Sequence, residues 1–241
     1  MVCQVSYRQK KALPFLDALI GQASSVITCI GSKITMPNPK IVLAGMEAEG
    51  WRWQEGDLAC GVSTFGHGDF HVGNLMVDLS EDGTLVLDGL TVLDYDYVGE
   101  YCQHYDRAQL ESSFLMELAL AFDDQCGAGR WDEYFLPALK VLTSADSEAV
   151  IENNKFAYDL VSVVRTLRGD LAGGDLRLYY GALFTTLLRI SVSKYRKADQ
   201  TIANLPMSAR RTTVVAMGLL LSQLAAAPRP LKDMNTTEVA F

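Results

Sequence analysis

Two clusters of polar side chains in this sequence contain the residue types that phosphoryl transfer needs. The members of these clusters are His67, Asp69, His71, Asn74, Asp94 and Asp96. Transfer of a phosphoryl group from a nucleotide requires a carboxylate that orients the attacking hydroxyl and accepts its proton. It also requires hard oxygen ligands for the Mg²⁺ that spans the phosphates. Each cluster lies at the edge of a predicted strand, where a loop can present side chains from a rigid frame.

The spacing between Asp69 and Asn74 indicates that the first cluster forms a single loop. The two residues are arranged as D-x-x-x-x-N. After one turn of the loop, this spacing lets a catalytic carboxylate and a metal-binding amide face the same phosphate. A further metal carboxylate is expected after the following hairpin. Asp94 stands at that place, directly behind the apolar run Thr91-Val92-Leu93.

Two motifs in this region resemble those of the aminoglycoside phosphotransferase and choline kinase family. Residues 67–77, HGDFHVGNLMV, resemble the family's H-G-D-x-H-x-x-N signature, and residues 93–99, LDYDYVG, look like the I-D-F/Y-[DE] element that follows it. Phe70 and Val72 stand where leucine and proline are common in the family, but these changes leave the polar groups in place. The specific likeness covers residues 61–122.

The resemblance implies roles for the residues of the first motif. Asp69 would be the catalytic carboxylate, and His67 and His71 would brace the loop that carries it. The likeness extends to Asp106, which is similar to an aspartate that ties the next helix to the catalytic loop in these kinases. Because aspartate also caps helix N-termini well, Asp106 has a local reason to be present.

The resemblance also implies a nucleotide site and a class of substrate. Asn74 and Asp94 would ligate Mg²⁺ and bind ATP or another nucleoside triphosphate, and Asp96 would be an auxiliary acidic group. The implied reaction is O-phosphorylation of a hydroxyl on a small-molecule substrate. A plainer alternative is that Asp94 and Asp96 form a solvated strand end.

Residues 1–66 lack the features of an ATP-gripping lobe. They contain no G-x-G-x-x-G, and their lysines lie in a predicted helical opening or in proline-rich turns. Protein kinases and their relatives place a phosphate-binding lysine on a strand of that lobe. Three interpretations follow: a truncated kinase, a half that works beside a protein partner supplying or replacing the N-terminal lobe, or a degenerate binding module.

Two further classes of protein stay open on the sequence alone. The first is a catalytically inactive, kinase-derived module that binds a protein partner or a nucleotide in bacterial signalling or conflict systems, and the missing lobe favours it. The second is a metal-dependent hydrolase in which His67, Asp69, His71 and His104 hold zinc or iron. The glycines around the first motif favour a loop, whereas zinc hydrolases generally place such histidines on a helix.

The order of local patterns predicts an α+β fold in which a small β-hairpin unit is set into a mostly helical body. Short β-type runs are predicted at residues 62–65, 74–77, 84–87 and 91–93, separated by turns at Asp82-Gly83 and Asp88-Gly89. Helices are predicted at residues 7–27, 106–122, 131–143, 147–168, 175–196 and 207–226, and a frayed tail at 228–241. Together with the resemblance, this order implies a protein-kinase-like C-terminal lobe at residues 61–241, on which a helical and irregular segment of residues 1–60 packs.

The composition of the chain limits which binding partners and which cellular compartment the sequence predicts. The net charge of −8 leaves no general basic surface for nucleic acid or for an anionic membrane. No signal peptide or membrane span is predicted. The five cysteines are odd in number and form no C-x-x-C pair, which predicts a reducing, cytoplasmic setting. Arg165 and Arg168 are interpreted as part of a solvated helix face.

Overall fold

The fold is α+β and mostly helical in the part of the chain that the structure describes. The computed structural model describes residues 26–29, 34–40, 63–126, 130–143, 151–171, 173–191, 195–196, 202–203, 207–224 and 236–239. Within these residues, five long helices surround small sheets of two or three strands. The predicted α+β class is therefore confirmed, while the likeness to a kinase lobe stays a prediction.

The five helices follow the predicted helical segments closely. They are α1 (Tyr105–Cys126), α2 (Trp131–Thr143), α3 (Lys155–Arg168), α4 (Gly173–Ser191) and α5 (Met207–Leu224). Helix α3 begins later than predicted because Asn154 caps it, its side chain accepting a hydrogen bond from the amide of Ala157 at 3.0 Å. Helix α4 ends at Ser191, and residues 195–196 are a strand rather than its last turn. Among the described residues, no helix combines the length and apolarity needed to cross a bilayer.

One hydrophobic core lies between these helices. Helix α1 packs against α4 and α5, and α2 packs against α3 and α5. The largest fully buried side chains of this core are Met36, Leu115, Phe135, Leu139, Ile151, Tyr179, Leu183 and Phe184. Each buried side chain of the size of leucine or phenylalanine contributes about 1.5–3 kcal/mol by leaving water. The helices therefore form a rigid base on which polar loops can be fixed.

In the described part of the chain, nine short strands lie before, between and after the helices. They are β1 (Val26–Cys29), β2 (Ile34–Pro37), β3 (Ser63–Gly66), β4 (Leu75–Leu79), β5 (Leu85–Val92), β6 (Gly99–Cys102), β7 (Tyr195–Arg196), β8 (Ile202–Ala203) and β9 (Thr236–Val239). β1 pairs with β2 in antiparallel and with β9 in parallel fashion. The predicted tail therefore contributes a strand, and the last two residues of the helix predicted at 7–27 belong to β1. The remainder of that helix lies outside the described residues, and so does the predicted domain boundary at residue 60.

The β4–β5 hairpin departs from the predicted pattern at one turn. The Asp82-Gly83 turn is present, with Gly83 at φ 82°. The Asp88-Gly89 turn was wrongly predicted, because these residues lie inside β5 at a shift in register between the pairs Val77↔Leu90 and Asp78↔Val86. A Cβ at Gly89 would lie 2.5 Å from Cβ of Asp78. The glycine therefore serves a close approach of two strands rather than a chain reversal.

A buried ion pair joins α1 to α3. Nε and Nη2 of Arg168 donate to the carboxylate of Glu111 at 2.9 and 2.6 Å, and Nη1 donates to the carbonyl of Leu142 at 2.5 Å. The hydroxyl of Tyr179 also donates to Glu111. Burial, together with the neighbouring charge of Glu111, raises the pKa of Tyr179 well above its usual value, which keeps this donor neutral. The interpretation of Arg168 as part of a solvated face is therefore wrong, because its side chain is buried with its partner.

Replacement of Glu111 by glutamine should destabilise the fold strongly. The change leaves the Arg168 guanidinium buried without a counter-charge, which typically costs about 3–5 kcal/mol. Urea unfolding followed by circular dichroism measures this loss. The matched control is Glu133→Gln, which removes one partner of the exposed Arg130–Glu133 pair and should cost no more than about 1 kcal/mol. Equal losses in the two variants would contradict a structural role for the buried pair.

Candidate active site

The first polar motif forms one loop between β3 and β4. The loop closes through a single 3₁₀ turn at Val72–Asn74, which His71 caps by accepting the Gly73 amide on Nδ1 at 3.1 Å. Nδ2 of Asn74 donates to the backbone carbonyl of Asp69 at 2.9 Å. The loop therefore turns once between Asp69 and Asn74, and it brings the Asn74 side chain back against the backbone of Asp69.

The start of the loop is fixed by the Asp106 carboxylate. This side chain, in the first turn of α1, accepts the amides of His67 at 2.6 Å and of Gly68 at 2.8 Å. Asp106 lies inside the helix rather than at its cap, so it ties α1 to the loop. Gly68 has φ 80°, and a Cβ there would lie 2.1 Å from the Tyr101 hydroxyl. Only glycine fits this conformation and this approach.

The second motif is fastened directly to the first. Nε2 of His67 bonds the carbonyl of Leu93 at 2.8 Å, and Nδ1 accepts the amide of Asp69 at 3.3 Å. The amide of Leu93 donates to the carbonyl of Asn74 at 2.9 Å. Leu93 is thus bonded to two residues of the first motif, and Asp94 follows it at once. The rings of His67 and Tyr95 lie 5.1 Å apart, which packs the next part of the second motif against the first.

Asp94 and Asp96 occupy different positions in the second motif. Asp94 has φ 58°, a left-handed conformation that is uncommon for a residue other than glycine. Such conformations persist where the surrounding structure enforces them and are concentrated at functional sites. Asp96 lies in an exposed turn closed by a hydrogen bond from the Val98 amide to the Tyr95 carbonyl at 3.3 Å. Both side chains are exposed, which fits the alternative of a solvated strand end, and Asp94 directly follows Leu93, whose backbone is bonded to Asn74.

The carboxylate of Asp69 is held by two side chains that the sequence did not single out. Its Oδ1 accepts Nε2 of Gln109 at 2.9 Å and Nη2 of Arg189 at 2.5 Å. Its Oδ2 lies 3.6 Å from Nε2 of His71. Burial acts to raise the pKa of Asp69, but the charge and hydrogen bond of Arg189 and the hydrogen bond of Gln109 outweigh it. The pKa is therefore lower than usual for an aspartate.

The sequence contains a pattern from which the contact of Gln109 with the loop could have been predicted, but none for Arg189. Asp106, Gln109 and Ser113 are spaced three and four residues apart, which places them on one face of a helix. All three contact the loop, since the Ser113 hydroxyl accepts the Val72 amide at 3.1 Å. Arg189 instead lies 120 residues from Asp69 in an apolar helical stretch. Only the packing of α4 against α1 brings it to the site.

The donor set beside the hairpin fits a magnesium–nucleotide site better than a zinc site. Mg²⁺ usually takes one or two protein carboxylates and completes its shell with substrate phosphates and waters. The Asn74 amide nitrogen is engaged by the carbonyl of Asp69, which leaves the amide oxygen as the possible ligand, and the Asp94 carboxylate is exposed. In the residues that the structure describes, no group of three or more His, Cys, Asp and Glu could hold a metal. Both ring nitrogens of His67 are engaged, which further disfavours the zinc or iron alternative.

Comparisons of the chain with protein-family models, with curated proteins and with solved structures find no match. The likeness to the aminoglycoside phosphotransferase and choline kinase family therefore stays a prediction from two short motifs.

Replacement of Asp106 by asparagine should loosen the loop. An amide offers one acceptor oxygen and no charge, so at least one of the two charge-assisted bonds to His67 and Gly68 is lost, at a cost of about 1.5–3 kcal/mol. The free energy of unfolding in urea measures the cost. Asp132→Asn, an exposed aspartate in the first turn of α2, is the control and should cost about 0.5 kcal/mol. A loss in Asp106→Asn as small as in the control would contradict the anchoring role.

Proposed function

We propose that the protein is a phosphotransferase that uses ATP and Mg²⁺ to phosphorylate a hydroxyl of a small molecule. One observation carries the proposal: the backbone of Leu93 is bonded both to His67 and to Asn74, at 2.8 and 2.9 Å. These bonds join a loop that presents a carboxylate and an amide to a strand end that presents a second carboxylate. Phosphoryl transfer needs these groups, and the bonded backbones bring the two segments that carry them side by side.

In the proposed reaction, Asp69 orients the acceptor. Its side chain is only 15% exposed, and the low pKa keeps it ionised near neutral pH. The acceptor hydroxyl would donate a hydrogen bond to this carboxylate, and its oxygen would bond to the terminal phosphorus of ATP. The bond from that phosphorus to the bridging oxygen breaks, ADP leaves, and the hydroxyl proton passes to Asp69.

Asn74 and Asp94 would hold the magnesium ion of the nucleotide. When bound, Mg²⁺ offsets the negative charge on the phosphates and orients the phosphate that is transferred. The residues of this chain supply the rigidity. Asn74 is buried and tied to Asp69, and Asp94 is set by the strand end that Leu93 fixes. Asp96, two residues further along the exposed turn, would add negative charge beside the nucleotide.

Calorimetric titration with ATP, in the presence and absence of Mg²⁺, tests the proposed site. The wild-type chain should bind ATP only with Mg²⁺, and Asp94→Gly should abolish binding because it removes the charged ligand while it keeps the left-handed backbone. Asp69→Ala should still bind Mg²⁺–ATP but lose turnover, by about 10³-fold or more, because the acceptor is no longer oriented. The control is Asp132→Ala, which removes an exposed carboxylate of α2 and should change neither quantity. Binding that persists in Asp94→Gly would sink the proposal.

A second candidate function is favoured by a specific surface. Many large apolar side chains of residues 63–102, which contain β3 to β6, are exposed, including Phe65 at 75%, Leu79 at 62% and Tyr95 at 61%. In the described helices, the exposed large apolar side chains are Tyr158 and Val163. Exposed apolar surface of this kind is typical of sites that bind another protein. It fits a catalytically inactive, kinase-derived module, or a kinase half that works with a protein partner. A folded wild-type chain that binds no nucleotide at millimolar concentration would favour the inactive module.

A further inference from the structure

We infer that Arg189 is a positioning residue: together with Gln109 it occupies Oδ1 of Asp69, and this leaves Oδ2 as the oxygen that receives the acceptor hydroxyl. The inference rests on the proposed phosphotransferase function. It adds a residue that neither motif contains, and it assigns different roles to the two oxygens of the carboxylate.

The hydrogen bonds of Asp69 distinguish its two oxygens. An ionised carboxylate oxygen has two lone pairs, and those of Oδ1 are taken by Nε2 of Gln109 at 2.9 Å and Nη2 of Arg189 at 2.5 Å. Among the described residues, Oδ2 has a charged neighbour in His71, whose Nε2 lies 3.6 Å away. This distance is too long for a hydrogen bond. Oδ2 is therefore the oxygen with capacity for a hydroxyl donor.

The two donors come from two helices that are packed together. Gln109 lies on α1 and is 4% exposed, and Arg189 lies near the end of α4. Nη1 of Arg189 also bonds the hydroxyl of the buried Tyr105 on α1 at 3.3 Å. The guanidinium is therefore held between α1 and Asp69, while the side chain stays 28% exposed.

The hydrogen bonds from Gln109 and Arg189 to Oδ1 form a clamp that restricts rotation of the Asp69 carboxylate. The terminal torsion of an aspartate side chain is broad and nearly two-fold, so an unrestrained carboxylate can present either oxygen over a range of angles. Two donors on Oδ1 remove that freedom. Because a displacement of about 1 Å in a reacting group can cost about 10²-fold in rate, a fixed Oδ2 matters for turnover.

The clamp also indicates the side from which the acceptor approaches. The Oδ1 side of Asp69 is occupied by its hydrogen-bond donors Gln109 and Arg189, with the buried Tyr105 behind Arg189. The Oδ2 side borders His71, whose side chain is 37% exposed. The acceptor hydroxyl would therefore enter beside His71.

Kinetics of Arg189→Ala and Arg189→Lys test the inference, with ADP release from Mg²⁺–ATP measured in water alone and with glycerol as a simple hydroxyl acceptor. Arg189→Ala should lower kcat about 10²-fold, while KM for Mg²⁺–ATP and its calorimetric Kd stay within about twofold, because nucleotide ligation lies at Asn74 and Asp94. Arg189→Lys should recover part of kcat by restoring one charged donor. Guanidinium at low, non-denaturing concentration should also raise kcat of Arg189→Ala, but not that of Asp69→Ala.

The control and the opposing outcomes separate the inference from the proposed function. Arg130→Ala, which removes a partly exposed arginine paired with Glu133, should leave kcat unchanged.

If the wild-type chain binds Mg²⁺–ATP and turns it over, but kcat of Arg189→Ala is unchanged, the inference alone is overturned. If kcat falls but neither lysine nor guanidinium recovers any of it, Arg189 is structural and the inference is again overturned. A wild-type chain that does not bind Mg²⁺–ATP, or binds it without turnover, overturns the catalytic proposal and this inference with it. Should Arg189→Ala fail to fold by circular dichroism, Arg189→Lys and Gln109→Ala decide by the same kcat and KM readouts.

Discussion

The carboxylate of Asp106 is the contact on which the whole polar site depends. It takes two consecutive loop amides, at His67 and Gly68, and so sets the path of the chain into Asp69. His67, once placed, reaches Leu93 and fixes the second motif. A single side chain in the first turn of α1 therefore fixes the loop of the first motif, and His67 in that loop fixes the second motif.

Helix α1 connects this polar site to the core of the protein. One face carries Asp106, Gln109 and Ser113 to the loop, while Glu111 points into the core and pairs with Arg168. The buried pair resists sliding or rotation of α1 relative to α3, since either motion would separate charges in a medium of low polarity. A site assembled on such a helix inherits its rigidity, which suits a reaction that depends on the positions of groups rather than on their covalent chemistry.

The sequence was informative where structure is local and uninformative where it depends on packing. Helix periodicity predicted α1 to α5 to within a few residues, apart from the start of α3, which is set by a capping contact of Asn154. The spacing of Asp69 and Asn74 predicted a loop that turns once. Neither periodicity nor spacing could identify Arg189 as a site residue, because the sequence around a lone arginine in an apolar helix does not indicate a partner 120 residues away. Arg168 was misread for the same reason: a charge near a helix end looks solvated until the helix beneath it is known.

The left-handed backbone of Asp94 limits which side chains this position can accept. At φ 58° a β-branched residue meets steric conflict, and most other side chains cost about 1–2 kcal/mol, whereas glycine and asparagine are accommodated readily. Asparagine therefore removes the charge while preserving the geometry of the strand end, and glycine removes the side chain while preserving the same path. The conformational requirement and the chemical requirement at residue 94 can thus be separated by two substitutions that both leave the chain free to follow its native course.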